Sequence, residues 1–426
     1  MKRSDIALVY RIAIENFSVW IKQAIIKLMQ ALPVSKSSAL SQLKNTITLP
    51  PNHLFPQPQP LLLYNAGVKF AGGPDYSRIF ARDGLTSAFL LGDARFLHDL
   101  LVFCASTMGT KIDPRTGEEP GKVPHEWPGV DLRGYNTQYV AADTSALWLV
   151  GLYEYWLASK DSNFIASMRT PVRSALDYIR RHLHDDLFWD DPKYSQSAGT
   201  AVLSGCWRDG GFPERDGGRQ TYPATYFMVN LLIVKALRGL HALRAPLQLD
   251  DQTDLLELAE RIKAATLQKF YLPELGYFSP MFDQQGIVST LYLDTIWSLY
   301  FLEPHDLTAE MIESQFALLP RLQTTYGYLS RDRTPGATNV DDQLMVGRAV
   351  WPVEQMYLGL LAKRSGQNHH QIIAECEKAA AWLDISEYPD SEFIAIDNAS
   401  DAPRIAGCNV QLWTIAYRYA LEHYLT

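Results

Sequence analysis

The stretch AADTSALWLVGLYEYWLASKDSNFIASMRTPVRSALDYIRRH, residues 141–182, decides the fold. It holds two helical segments, Ala141–Ser159 and Asn163–His182, joined by a link of three residues. Two helices on so short a link must lie antiparallel. The same unit recurs on either side. Asp83–Leu91 pairs with Ala94–Met108, Pro223–Leu243 with Asp250–Phe270, Leu291–Leu302 with Thr308–Leu318, and Pro352–Lys363 with His369–Leu383. Asn409–Tyr424 has no partner after it, and the amphipathic stretch Ile6–Leu32 can supply one. That makes twelve helices in six hairpins. Between the hairpins run five long irregular stretches, 109–140, 183–222, 271–290, 319–351 and 384–408, all at the same phase of the pattern. Loops of that length are unusual unless they carry function. In a ring of alternating inner and outer helices they share one end, where the inner helices begin. Helix N-termini there favour oxygen-rich groups and carboxylates. Within the third loop, Gly276–Tyr277–Phe278 with Asp283–Gly286 reads as strand, turn, strand.

Bulk properties set the bounds. The chain has 426 residues, 47% of them hydrophobic and 20% charged, an ordinary balance for a large globular core. A net charge of −8 argues against a nucleic-acid binder. Cys104, Cys206, Cys376 and Cys408 form no metal pattern and read as reduced thiols, which points to the cytoplasm. The opening Met1–Lys2–Arg3 is followed by Arg11, Glu15, Lys22 and Lys27, which interrupt any signal-like apolar run. No stretch is long and apolar enough for an integral membrane helix. Residues 1–50 are expected to pack on or complete the barrel, 51–63 to form a proline-rich connector, and 64–426 to form the main domain.

The loops concentrate groups suited to glycosidic chemistry, which needs one protonated and one ionised carboxyl group. Gly205–Cys206–Trp207–Arg208–Asp209–Gly210–Gly211 sets an acid beside an arginine, a stacking face and two glycines. Arg82–Asp83, Asp143–Thr144 and Asp294–Thr295 open helices, where an aspartate on its own is most simply a cap. Pro124–His125–Glu126–Trp127 lies in the first long loop, with no HExxH pattern to support zinc. Asp341–Asp342 precede Arg348 and Trp351–Pro352–Val353–Glu354, and Glu354 is either a catalytic carboxylate, a substrate contact or a first-turn glutamate that suits the dipole. The last loop carries Glu392, followed by Gly407–Cys408–Asn409–Val410–Gln411–Leu412–Trp413.

Laid out in order, these motifs resemble the six-hairpin glycosidases. They are most similar to the amylo-α-1,6-glucosidase part of glycogen debranching enzymes, and more distantly to glucoamylases. Phe80–Ala81–Arg82–Asp83–Gly84 matches the Arg-Asp pair that holds the terminal sugar. Val123–Pro124–His125–Glu126 and Ala142–Asp143–Thr144 match the next two motifs. Trp207–Arg208–Asp209 matches the segment bearing the general acid. Glu392 and Gln411–Leu412–Trp413 fall where the base and its following helix stand. Ser391 replaces the usual proline before the base, and Gly210 replaces a common serine after the acid. The resemblance implies an all-α (α/α)6 toroid and an inverting hydrolysis of α-glucosidic linkages in an oligo- or polysaccharide. Asp209 and Glu392 would be catalytic. Arg82, Asp83, His125, Glu126, Asp143, Trp207, Arg208, Trp351, Glu354, Gln411 and Trp413 would bind substrate. No metal or organic cofactor is needed by this chemistry. The same barrel also serves invertase-like enzymes, α-mannosidases, epimerases and non-catalytic sugar binders, and architecture alone does not separate them.

Overall fold

The computed structural model describes residues 79–132, 134–191, 204–208, 210–215, 218–249, 254–332, 348–365, 369–397, 400–408 and 411–425, together with the paired strands Ile47–Thr48 and Pro60–Leu61. The N-terminal stretch Ile6–Leu32 and Asp341–Asp342 lie outside the described residues.

In chain order the helices are α1 (Ala81–Leu91), α2 (Ala94–Ser106), α3 (Thr144–Ser159), α4 (Ser162–Ser167), α5 (Arg169–Arg181), α6 (Phe227–Ala242), α7 (Arg244–Leu247), α8 (Leu255–Phe270), α9 (Leu293–Trp297), α10 (Ala309–Phe316), α11 (Pro352–Arg364), α12 (His370–Ile385) and α13 (Leu412–Ala420). The expected stretch Asn163–His182 is thus two helices, α4 and α5, meeting at Met168. The stretch Leu291–Leu302 is a short α-helix continued by a 3₁₀ turn over Ser298–Phe301.

Packing separates two kinds of helix. α6 buries twelve of its 16 residues, including Asn230 and Gly239, so it is apolar on nearly every side. α8 buries six of 16 along one stripe, as a helix facing solvent does. The inner set follows in a circle: α1 packs on α3, α3 on α6, α6 on the 3₁₀ extension of α9, α9 on α11, α11 on α13, and α13 back on α1. Outside them, α2 packs on α1, α5 on α3, α8 on α6 and α12 on α11. The helical-barrel arrangement expected from the hairpin pattern is present to this extent.

The start of each inner helix is tied to a long loop from another part of the circle. Ala81 N–H donates to His125 O (2.9 Å), Ala142 N–H to Gly205 O (2.7 Å), Phe227 N–H to Pro280 O (2.9 Å), Leu293 N–H to Ser330 O (2.9 Å) and Gln411 N–H to Asp390 O (2.7 Å). For α11 the tie is strand pairing, with Ala349–Val350 against Phe393–Ile396. At Ala81, Phe227 and Leu293 the bond engages the first helical N–H, a donor that a helix start leaves unpaired, while at Ala142 and Gln411 it holds the residues that lead into the helix.

A second regularity was not visible as a sequence repeat. After α5, after α8, and after α10 with its 3₁₀ turn, the chain makes a two-stranded hairpin: Leu183↔Phe188, Tyr271↔Phe278 and Gln323↔Tyr328. The third loop therefore pairs its strands differently from the expectation. Tyr277–Phe278 join Tyr271–Leu272, while Asp283↔Gly286 closes a separate hairpin whose first strand also pairs with Thr225–Tyr226.

Trp148 shows how tightly the layers interlock. It is fully buried on α3, and its indole N–H donates to Leu101 O on α2 (3.0 Å). Replacing it with alanine removes a large core side chain and is expected to cost about 3–5 kcal/mol of unfolding free energy, measured by urea denaturation.

Candidate active site

Acids at helix starts divide by layer. On outer helices they cap. Asp93 accepts from the backbone N–H groups of Arg95 and Phe96, Asp161 from Asn163 and Phe164, and Asp254 from Leu256 and Glu257. On the inner helices they do not. Asp143 stands at the N-cap position of α3 without a side-chain cap bond, and its carboxylate meets Arg82 Nε at 2.8 Å. Asp83 Oδ1 accepts from Gln411 Nε2 at 3.1 Å, which joins the starts of α1 and α13. Asp294 Oδ2 accepts from both Trp207 Nε1 (2.8 Å) and Arg208 Nε (2.8 Å). Glu354 Oε1 accepts from Arg208 Nη2 and Trp297 Nε1, both at 3.3 Å. The acids of the inner ring bind across helices instead of serving their own.

Arg208 is a buried charge enclosed on all sides. Its guanidinium lies between the rings of Trp207 (4.6 Å) and Tyr292 (4.4 Å), and Nη2 also donates to the Ser330 carbonyl at 3.2 Å. The nearby carboxylates hold the guanidinium protonated despite its burial. Glu354 has no exposed surface. Burial pushes its carboxyl up to about 7, against the pull of Arg208 and with the repulsion of Asp294. Glu354, expected among the substrate contacts, touches Arg208 and Trp297. Asp294, at the start of α9, belongs to the same cluster through Trp207 and Arg208, and nothing in its local sequence distinguishes it from a capping aspartate.

An aromatic cluster joins the two loops that bear the proposed acids. Trp351 packs edge-on against Trp207 (5.8 Å between centroids) and Trp413 (5.9 Å), and stacks on Phe393 (4.3 Å, 19° between planes). Glu392 is half-buried and accepts from Cys408 N–H at 2.7 Å; its backbone carbonyl takes the Trp413 indole N–H at 3.4 Å. Position 407 has to be glycine: φ is 72°, and a Cβ there would fall 2.3 Å from Glu392 Oε2. Asp209 lies outside the described residues.

The described part of that loop, at Gly205, rests on a buried polar group. Gly205 N–H donates to Tyr226 Oη (3.3 Å), and Tyr226 Oη donates to Asp190 (3.2 Å), whose carboxyl burial pushes up. A Cβ at Gly205 would lie 2.2 Å from Asp190 Oδ2, so the loop can come this close only with glycine. His125 and Glu126 sit beside Arg82. The His125 ring packs edge-on against Phe80 (5.6 Å), and Glu126 accepts from the Thr137 hydroxyl. The structure thus brings Arg82, Asp83, His125, Glu126, Asp143 and Gln411 together around the starts of α1, α3 and α13. Trp207, Arg208, Trp351, Glu354, Trp413 and Glu392 gather around α9, α11 and α13.

Among the described residues, no group of three His, Cys, Asp or Glu is arranged to hold a metal ion. None of their helices is long and apolar enough to cross a membrane. All four cysteines are buried thiols.

Burial and the charge of Arg82 hold the His125 imidazole down to about 3, against an ordinary value near 6.5. The folded protein therefore excludes a proton that the unfolded chain takes up, and stability is lost as pH falls below about 6.5. His125→Asn carries no such penalty. The melting temperature of this variant relative to wild type should rise as pH drops from 7 to 4.5, whatever fixed packing cost it bears.

No protein-family model matches the chain, and no curated protein matches it in sequence. Solved structures do. The GH63 mannosylglycerate hydrolase from Thermus thermophilus, in complex with Tris and D-glycerate, superposes with a TM-score of 0.56 at 14% identity, over 82% of this chain and 94% of that one. The rhamnosidase from Klebsiella oxytoca with rhamnose bound gives 0.55 at 12%, over 82% of this chain and 59% of that one. The GH78 family rhamnosidase of a Bacillus species gives 0.55 at 14%, over 82% of this chain and 32% of that one. At these identities the likeness is one of fold: a helical barrel of the kind these glycosidases use.

Proposed function

We propose that the protein is a glycoside hydrolase that cleaves an α-linked saccharide with inversion, Asp209 acting as general acid and Glu392 as general base. The observation that carries this reading is the position of Trp351. It touches Trp207, two residues before one proposed acid, and Phe393, the residue after the other. Two residues of chain reach no further than about 7 Å. This contact supports reading the two proposed acids, 183 positions apart in the sequence, as members of one site. A separation of roughly 6.5–9.5 Å would leave room for the water that inversion requires. Glu354 is the weaker candidate for the base, because a fully buried carboxyl cannot reach a water beside the sugar.

The remaining parts of the proposal follow the same site. Arg82, Asp83 and Gln411 would hold the terminal sugar, with Trp207, Trp351 and Trp413 offering apolar faces to it. His125, Glu126, Asp143 and Arg208 would support these contacts from behind. Residues 64–426 would form an (α/α)6 toroid, closed on its sixth outer position by the stretch within residues 1–50, with residues 51–63 as connector. The protein would work in the cytoplasm, as buried thiols suit a reducing compartment.

The order of motifs supports an α-glucoside of debranching or glucoamylase type. A second reading, an α-mannoside or related short glycoside, is favoured by the name of the mannosylglycerate hydrolase that shares the fold.

Asp209→Asn and Glu392→Gln are each expected to lower kcat by about 10²–10⁴-fold or more, with the melting temperature little changed. NMR of the first product formed should show the anomer opposite to that of the substrate. Normal turnover in both variants on a glycoside that the wild type hydrolyses would end the assignment.

A further inference from the structure

Resting on the reading of Asp209 as the acid, we propose that Glu354 is a positioning residue that acts through Arg208, one of two carboxyl groups sharing that guanidinium to fix the segment that carries position 209. The geometry gives four supports. Arg208 is covalently next to 209, and its carbonyl accepts from Gly211 N–H at 2.8 Å, so both flanks of that position are tied to this arginine. Its side chain is fixed from three elements distant in sequence: Asp294 of α9, the Ser330 carbonyl, and Glu354 of α11. The rings of Trp207 and Tyr292 close its two faces. Finally, one carboxylate is enough to balance one guanidinium, and Asp294 already does so at 2.8 Å.

The second acid is therefore surplus in charge though not in hydrogen bonding. The groups facing Glu354 are Arg208, Asp294, Ser330 and Trp297. With Glu354 protonated, the cluster of Arg208, Asp294 and Glu354 is neutral. When it ionises, a net negative charge appears in a dry interior, and the guanidinium is drawn from Asp294 towards α11. The carboxyl titrates near neutrality because burial outweighs the pull of Arg208. The cluster therefore changes charge near pH 7, and the segment on Arg208 follows it. This role differs from substrate contact, since Glu354 exposes no surface to a ligand.

Glu354→Gln keeps the oxygen that Arg208 and Trp297 use and removes the charge at every pH. Two measurements test the proposal. First, the tryptophan fluorescence of a Trp297→Phe protein, in which the indole bonded to Glu354 is gone, should show a step between pH 6 and 8 reported by the remaining indoles. The step should be absent once Glu354→Gln is added. Second, the pH profile of kcat on a hydrolysed glycoside should have an alkaline limb near 7 in the wild type. That limb should move up by at least one pH unit in Glu354→Gln, with KM little changed. A uniform fall in kcat at every pH with the limb unmoved would mean a structural role only and overturn the proposal. So would the lack of any fluorescence step in Trp297→Phe, which needs no glutamine variant to fold. If the wild type hydrolyses no glycoside, the functional reading falls, and the fluorescence titration alone decides whether Glu354 governs the segment.

Discussion

The molecule depends on one recurring contact, a backbone N–H at the start of an inner helix donating to the carbonyl of a loop from elsewhere in the circle. Ala81, Phe227 and Leu293 make it from the first helical residue, Gln411 from the N-cap, and Ala142 from the residue before the N-cap. A buried backbone donor without a partner is costly, and the first turn of a helix has several. Using a distant loop as the acceptor satisfies the donor and fixes the loop in one step. It also holds each of these loops in place at the point where it meets a helix start. Each needs to be right only where it passes over a helix start.

The same logic governs the charges. Because the loops and neighbouring side chains occupy the inner helix ends, the acids there are released from capping and turn sideways to arginine, glutamine and indole groups of other elements. Asp143 with Arg82, Asp83 with Gln411, and Asp294 and Glu354 with Arg208 are all buried. Buried ion pairs of this kind contribute little net stability, and what they supply instead is a fixed geometry. Here that geometry fixes the starts of the inner helices relative to one another.

The hairpin pattern was legible because it depends on local physics: apolar periodicity, short links and the phase of the loops. The helix pairs stand where periodicity put them, to within a few residues, apart from the break at Met168 and the shortening of α9. The site was legible in part. Arg82, Asp83 and Trp207 carried motif information, and they do converge on helix starts. Asp294 was passed over because the sequence of a capping aspartate is the same as that of one bonded across helices: Asp93 and Asp294 differ only in what surrounds them. Strand pairing failed for a related reason. Tyr277–Phe278 had a nearer partner in Tyr271–Leu272, across a turn with Gly276 in the left-handed region, than in the segment beyond it. Short strands carry too few residues for alternation to choose between neighbours.

The three hairpins that follow α5, α8 and α10 each end in a buried aromatic, Phe188, Phe278 or Tyr328. Each is a mechanical stop, anchoring the chain to the body soon after the outer helix ends. Strain or length introduced beyond such an anchor is absorbed there and does not reach the preceding outer helix. A scaffold so insulated can exchange the segments that follow its outer helices while its helical body stays the same.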